Sequence, residues 1–117
     1  MTERAKEIVK IAYKALDDKK AEDIKIIDIS GISVIADYFV IANGTNSSQV
    51  EAMVDEVTDA LAKQKIHAER IEGIRSSGWI LMGFNDVVIH IFSREDRLFY
   101  DLERIWRDGK AIEPESL

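Results

Sequence analysis

The chain contains no cysteine, which removes disulfides, thiolate metal sites and cysteine nucleophiles together and fits a reducing cytoplasm. Histidine is scarce: His67 and His90 are the only imidazoles. A metal site would need carboxylates to complete it, and their spacing suggests no such set, so a hydrogen-bonded structural role is the expectation for each histidine. No apolar run approaches the roughly 18 residues that a membrane span requires. The N-terminus, with Glu3 and Glu7 among its basic residues, has the pattern of neither a signal nor a transit peptide. Positive charge is in deficit, with 16 Lys and Arg against 22 Asp and Glu for a net charge of -6. That balance argues against a broad grip on phosphate backbones, which needs a basic field. Internal repeats and low-complexity segments are absent as well.

What is present suits one domain. A chain of 117 residues with 46% hydrophobic and 32% charged residues is ordinary for a globular protein, and at this size folding buries somewhat over about 60% of the surface the unfolded chain exposes. The longest apolar run, Gly78 to Phe92, also specifies its own fold-back. Asn85 and Asp86 interrupt two strand-like segments, and a two-residue connection of this type favours a tight hairpin. The register follows: Phe84 faces Val87, Met82 faces Ile89 and Ile80 faces Ile91, so one side of the hairpin is wholly apolar and must be core. The other side collects Trp79, Leu81, Gly83, Val88, His90 and Phe92, whose indole and imidazole want polar partners. Helices over both faces are the general expectation for central strands. The sharper expectation is that the Trp79 face is left partly open for another macromolecule.

Elsewhere the apolar spacing predicts a helix over residues 2 to 18, with Ile8, Ile11, Ala12, Ala15 and Leu16 on one face. Ile24 to Ile29 is β-branched enough for a strand. Tyr38 to Ala42 is a continuous apolar run that suits a central strand buried on both faces. Asn46 and Gln49 sit three apart, as in a capping box, before a helix that carries Val50, Met53, Val54, Val57 and Leu61 and runs to about Lys63. His67 to Ile71 is polar enough for an edge strand. Ser93 and Asp96 form a second capping signature, ahead of a helical stripe of Leu98, Phe99, Leu102, Ile105 and Trp106. The fold expected is α/β: a single domain over residues 1 to 108, with a mixed sheet of about five strands and three main helices. An acidic tail, residues 109 to 117, is expected to be mobile.

Chemistry is sparse. Metal-dependent nucleotidyl transfer needs carboxylates close together, normally an Asp-x-Asp pair shortly after a Gly-Ser turn. The turn at Gly44-Thr45 has no such pair after it. Asp55 and Asp59, with Glu51 and Glu56, have the ordinary pattern of a solvated helix face. The loop Asn43 to Ser48 could cradle an anion at a helix start, but it lacks the Lys of a phosphate loop and capping explains its residues. No Ser-His-Asp order with a nucleophile elbow occurs. The expectation is a protein without catalytic, metal or cofactor residues that works by binding. Trp79, Leu81 and His90 on an open sheet face, with Tyr100 near its edge, would make an aromatic-centred patch. Arg75, Ser77 and Asp86 would supply its polar rim.

Two stretches carry a family likeness. W-I-L-M-G-F-N-D-V-V-I-H-I-F from Trp79, continued by R-x-x-R-L-F-Y-D-L-E-R-I-W from Arg94 to Trp106, resembles the core of the ribosomal silencing factors, the Iojap-related proteins. D-Y-F-V-I-A-N-G-T-N-S-S-Q, Asp37 to Gln49, resembles that family's other signature. The likeness extends over nearly the whole chain and implies a nucleotidyltransferase-like α/β architecture without the enzyme's metal chemistry. The alternative function is then a metal-dependent nucleotidyltransferase or a degenerate relative of one. The resemblance further implies a cytoplasmic translation repressor that binds the fourteenth protein of the large ribosomal subunit and sterically blocks joining of the subunits, with the interface role falling on Trp79, Leu81, His90 and Tyr100. Contact would be made through that basic protein, with little direct RNA contact and no membrane. A symmetric homodimer covering the Trp79 face would also be permitted. The chain departs from the family at Gly83 and Asn85, where many members have Asp and Gly, and the lost carboxylate puts in doubt any contact it would make to a basic partner.

Overall fold

The computed structural model of the chain describes residues 3–31, 34, 36–73, 78–93 and 109–117. Its centre is the hairpin of β4 (Trp79–Phe84) and β5 (Val87–Ser93). Asn85 takes the left-handed backbone, φ 56°, that a two-residue hairpin demands and that Asn tolerates better than most residues. Phe84 pairs with Val87, Met82 with Ile89 and Ile80 with Ile91, the register expected from the loop.

The hairpin sits inside a mixed six-stranded sheet ordered β3-β4-β5-β2-β1-β6. β2 (Tyr38–Gly44) is buried at all seven positions and runs parallel to β5, as its unbroken apolar run predicts. It is tied to the hairpin turn as well, since the Asp86 carbonyl accepts from the Asp37 and Tyr38 N–H groups at 2.7 and 3.2 Å. β1 (Glu22–Asp28) pairs antiparallel with β2. The expected edge strand is shorter and later than the sequence suggests: β3 (Arg70–Glu72) pairs antiparallel with β4.

Helices α1 (Glu3–Asp18) and α2 (Ser47–Ala62) pack on one face of the sheet. Ile8 and Leu16 from α1 and Met53 and Leu61 from α2 share a core with Ile80, Met82, Phe84 and Ile89. Both helices follow the apolar spacing because each has one stripe to bury. Gln49 staples them together. Its side chain donates to the Lys19 and Lys20 carbonyls at the end of α1, at 3.2 and 2.9 Å. The opposite sheet face carries a second cluster, with Ile27, Ile29, Phe39, Ile41, Val88 and Phe92 buried and Trp79 and Leu81 packed against it.

Among the described residues the sheet therefore has six strands where about five were expected. The extra one comes from the segment read as an acidic tail. β6 (Lys110–Ala111) pairs antiparallel with β1, and Ile112 donates to the Ile26 carbonyl at 2.8 Å. Ile112 and Leu117 then pack against the main core, which gives this acidic stretch an apolar reason to stay down. Ser93, expected to cap a third helix, is the last residue of β5, and the predicted helical stripe from Leu98 to Trp106 lies outside the described residues. No helix among the described residues is long and apolar enough to cross a membrane.

Candidate functional site

Trp79 opens β4, opposite Phe92 on β5. Their rings stack with centroids 5.3 Å apart and planes 19° from parallel, so one indole face is covered by a neighbour from its own sheet. The indole Nε1–H donates to Nδ1 of His90 at 3.2 Å. Trp79 and Leu81 are both half-buried. Beside them, Glu72, Gly73, Trp79 and Leu81 line a hollow of about 160 Å³. Glu72 and Leu81 are cross-strand partners, which brings a carboxylate next to the apolar floor. Gly73 closes the end of β3 at φ 94°. A Cβ there would run into the Trp79 carbonyl oxygen and come within 3.3 Å of the Ile80 Cα, so only glycine lets the two strands approach so closely.

His90 is placed differently from expectation. It faces the same side as Trp79, as strand alternation requires, but it is only 3% exposed. Phe39 meets it edge-on with centroids 4.6 Å apart, and Phe92 flanks it at 6.3 Å. Burial lowers its pKa from 6.5 to about 4, because a charged imidazolium is poorly solvated there. The ring is therefore neutral near pH 7, and since Nδ1 accepts from the indole its proton sits on Nε2. Among the described residues that buried Nε2 atom has no hydrogen-bond partner. His90 thus offers almost no surface of its own.

The other predicted site residues scatter. Leu81 does join Trp79 at the hollow. Asp86 does not: it is in the hairpin turn, at the opposite end of β4 from Trp79, roughly 20 Å away along the strand. Adjacency in the apolar run hid the length of the strand. Arg75, Ser77 and Tyr100 lie outside the described residues. Gly83, where the family likeness implied an Asp, is buried beneath its cross-strand partner Arg70, whose Cγ would be 3.2 Å from an added Cβ. Glu72 and Gly73 were missed as site residues. A short polar edge strand gives little pattern, and a positive φ leaves no mark on composition beyond the glycine itself.

The start of α2 is occupied by capping. The Asn46 side chain accepts from the Gln49 N–H at 2.8 Å, and Gln49 Oε1 accepts from the Thr45 N–H and hydroxyl at 2.6 and 2.8 Å. Glu51, Asp55 and Asp59 are exposed on the outer face of α2, and His67 is exposed beyond it. Among the described residues no three His, Cys, Asp or Glu side chains group so as to hold a metal ion.

Comparison with known proteins gives a consistent picture. A family model described as "Ribosomal silencing factor during starvation" matches residues 2–117. A ribosomal silencing factor from Bacillus subtilis is 43% identical over 104 residues, covering 89% of this chain and 88% of the relative. One from Halalkalibacterium halodurans is 38% identical over 111 residues, covering 95% of each. A solved structure from Chromobacterium violaceum superposes with a TM-score of 0.85 at 31% identity, covering 97% of this chain and 92% of the other. More distantly, the chain is 30% identical over 105 residues to mouse "Mitochondrial assembly of ribosomal large subunit protein 1", covering 46% of that protein.

Proposed function

The chain belongs to the ribosomal silencing factor family, and from that premise we propose that it is a translation repressor that docks on the fourteenth protein of the large ribosomal subunit. Sitting on the surface that meets the small subunit, it keeps the two apart. The effect is steric and follows mass action, with no turnover. The mouse relative, named for assembly of the large subunit, supports that subunit as the target. The family description names starvation as the occasion.

One observation carries the proposal to particular residues. The half-buried Trp79 stands at a hollow whose rim includes the Glu72 carboxylate, on a chain of net charge -6. An aromatic anchor beside an acidic rim suits a basic protein surface, where the ring supplies buried area and the charge supplies orientation. Trp79 and Leu81 are the proposed contacts at the centre. Arg75, Ser77 and Tyr100 remain proposed members of the rim from the motifs they occupy, while Asp86, at the far turn, could only touch a separate part of the partner. Action in the cytoplasm without a cofactor belongs to the same proposal, and a symmetric dimer that hides the Trp79 face would compete with docking. The nucleotidyltransferase likeness is kept as one of architecture, supported by the mixed α/β layout alone.

Trp79→Ala is expected to cost at least about 2 kcal/mol of affinity for purified large subunits while the protein stays folded. Co-sedimentation decides it, and unchanged co-migration refutes the assignment. A gradient profile tests the mechanism: added protein should keep isolated subunits apart.

A further inference from the structure

We propose that Asn43 is a site of spontaneous covalent modification: the folded sheet restrains the Asn43–Gly44 pair, and a chain whose β1 and β2 separate there converts Asn43 to an acid that no longer fits against Glu22.

An asparagine amide is lost most readily ahead of glycine, because a glycine nitrogen has no side chain to hinder its approach to the neighbouring side-chain carbonyl. Of the three asparagines only Asn43 has that neighbour, since Asn46 precedes Ser47 and Asn85 precedes Asp86. Packing keeps the glycine in place. A Cβ at Gly44 would lie 3.1 Å from Val50 Cγ2 and 3.2 Å from Met53 Sδ, tighter than ordinary contact, where β2 meets the start of α2. The amide beside it is therefore restrained by the fold and not by a change of residue.

The restraint has three parts. Asn43 is 5% exposed, which keeps water away from its amide. It sits on an interior strand, paired with Glu22 of β1 and Phe92 of β5, and Gly44 continues the ladder opposite Ser93. The backbone rotation that would bring the Gly44 nitrogen onto the side-chain carbonyl is thus opposed by two neighbouring strands. Finally, Asn43 Nδ2 donates to Glu22 Oε1 at 2.9 Å, so the amide nitrogen that would leave is tied to a carboxylate. The weak place is adjacent. β1 is irregular between Glu22 and Lys25, with Asp23 at φ 51°, and an interrupted ladder has fewer bonds to break when that end opens locally.

Once it opens, the Gly44 nitrogen loses its proton to hydroxide and bonds to Asn43 Cγ. The Cγ–Nδ2 bond breaks and the amide nitrogen leaves as ammonia. Water then opens the five-membered imide at either carbonyl, which leaves an aspartate or a backbone-shifted isoaspartate at position 43. A carboxylate there replaces a donor by a second acceptor of like charge opposite Glu22, at a distance where two carboxylates resist being ionised together. The isoaspartate also lengthens a central strand and disturbs its register with β1 and β5. Opening is reversible, whereas the chemistry is not, so the conversion marks chains that have opened. None of this depends on the docking role.

The test uses the full chain, incubated at mildly alkaline pH in native buffer and in unfolding guanidinium chloride, with conversion followed by peptide mapping in a mass spectrometer. Asn46 and Asn85 serve as internal references. Asn43 should be the fastest site in the unfolded chain and at least about tenfold slower in the native one. Glu22→Ala, checked for cooperative unfolding, should speed native conversion at Asn43 by about threefold or more, while Glu22→Gln, which keeps a side-chain acceptor, should stay within about twofold of wild type. Asn43→Asp stands in for the product. It should lower the denaturant midpoint, and lower it less in the Glu22→Gln background, because neighbouring charges couple. The inference fails if native and unfolded chains convert at the same rate, or if a folded Glu22→Ala converts no faster than wild type. It fails too if Asn43→Asp costs the same stability in both backgrounds. Should Glu22→Ala not fold, the native-against-unfolded comparison and the Asn43→Asp pair still decide it.

Discussion

A buried histidine makes acidity a stability variable. His90 has its pKa lowered from 6.5 to about 4 by burial, whereas in the unfolded chain it returns to the ordinary value. Between those two values the unfolded chain binds a proton that the folded chain refuses, so stability falls as pH falls through the window from about 6.5 to about 4. The shift corresponds to at most about 3 kcal/mol. Carboxylates titrate in the same range, so the measurement is a difference: urea midpoints of the wild type and of His90→Phe, each at roughly pH 7 and pH 4.5. The wild type should lose more stability on acidification than the variant, and equal losses would show that the imidazole is not held neutral by the fold. Strand alternation put His90 on the Trp79 side correctly, yet it could not give depth. Period two assigns a face, and the neighbours that bury His90, Phe39 from β2 and Phe92 from its own strand, are known only once the strand order is. Trp79, only half-buried, differs because it heads β4, next to the short β3.

At the scale of elements, the hairpin was readable almost entirely, because a two-residue loop and an alternating pattern leave a single register. The two described helices were readable from their stripes and, for α2, from the cap at Asn46. Less legible were the two borders of the sheet. β3 and β6 have three and two residues, too few for any period to show, and β6 is held by its bond from Ile112 and by Ile112 and Leu117 packing on the core. The join between β3 and β4 also hid its most demanding position. Gly73, at φ 94° and against the Trp79 carbonyl, looks like any loop glycine in the sequence. Gly73→Ala should destabilise the fold by about 2 kcal/mol, from positive φ and the forced separation of the strands. It should also weaken large-subunit binding, because the hollow beside Trp79 changes shape. Urea denaturation with a co-sedimentation assay checks both. A stability loss under about 0.5 kcal/mol would show that β3 swings aside at little cost.

For the molecule as a whole, net charge of -6 would steer its approach to the basic partner proposed above. Attraction at a distance raises the encounter rate, and salt screens it over about 10 Å at 0.1 M. The association rate with large subunits should fall by about tenfold between roughly 20 and 200 mM salt, with a smaller change in dissociation. Stopped-flow mixing measures this, and a rate indifferent to salt would leave the acidic character without a part in docking. The sheet's outermost strands have a different bearing on the same molecule. Four longer, mostly buried strands lie between a three-residue and a two-residue border. Stubs of that size offer a sister chain too few backbone groups to zip onto, so copies should resist stacking edge to edge into fibres even when crowded. On the function proposed above, each molecule then stays available to its partner instead of being lost to its own kind.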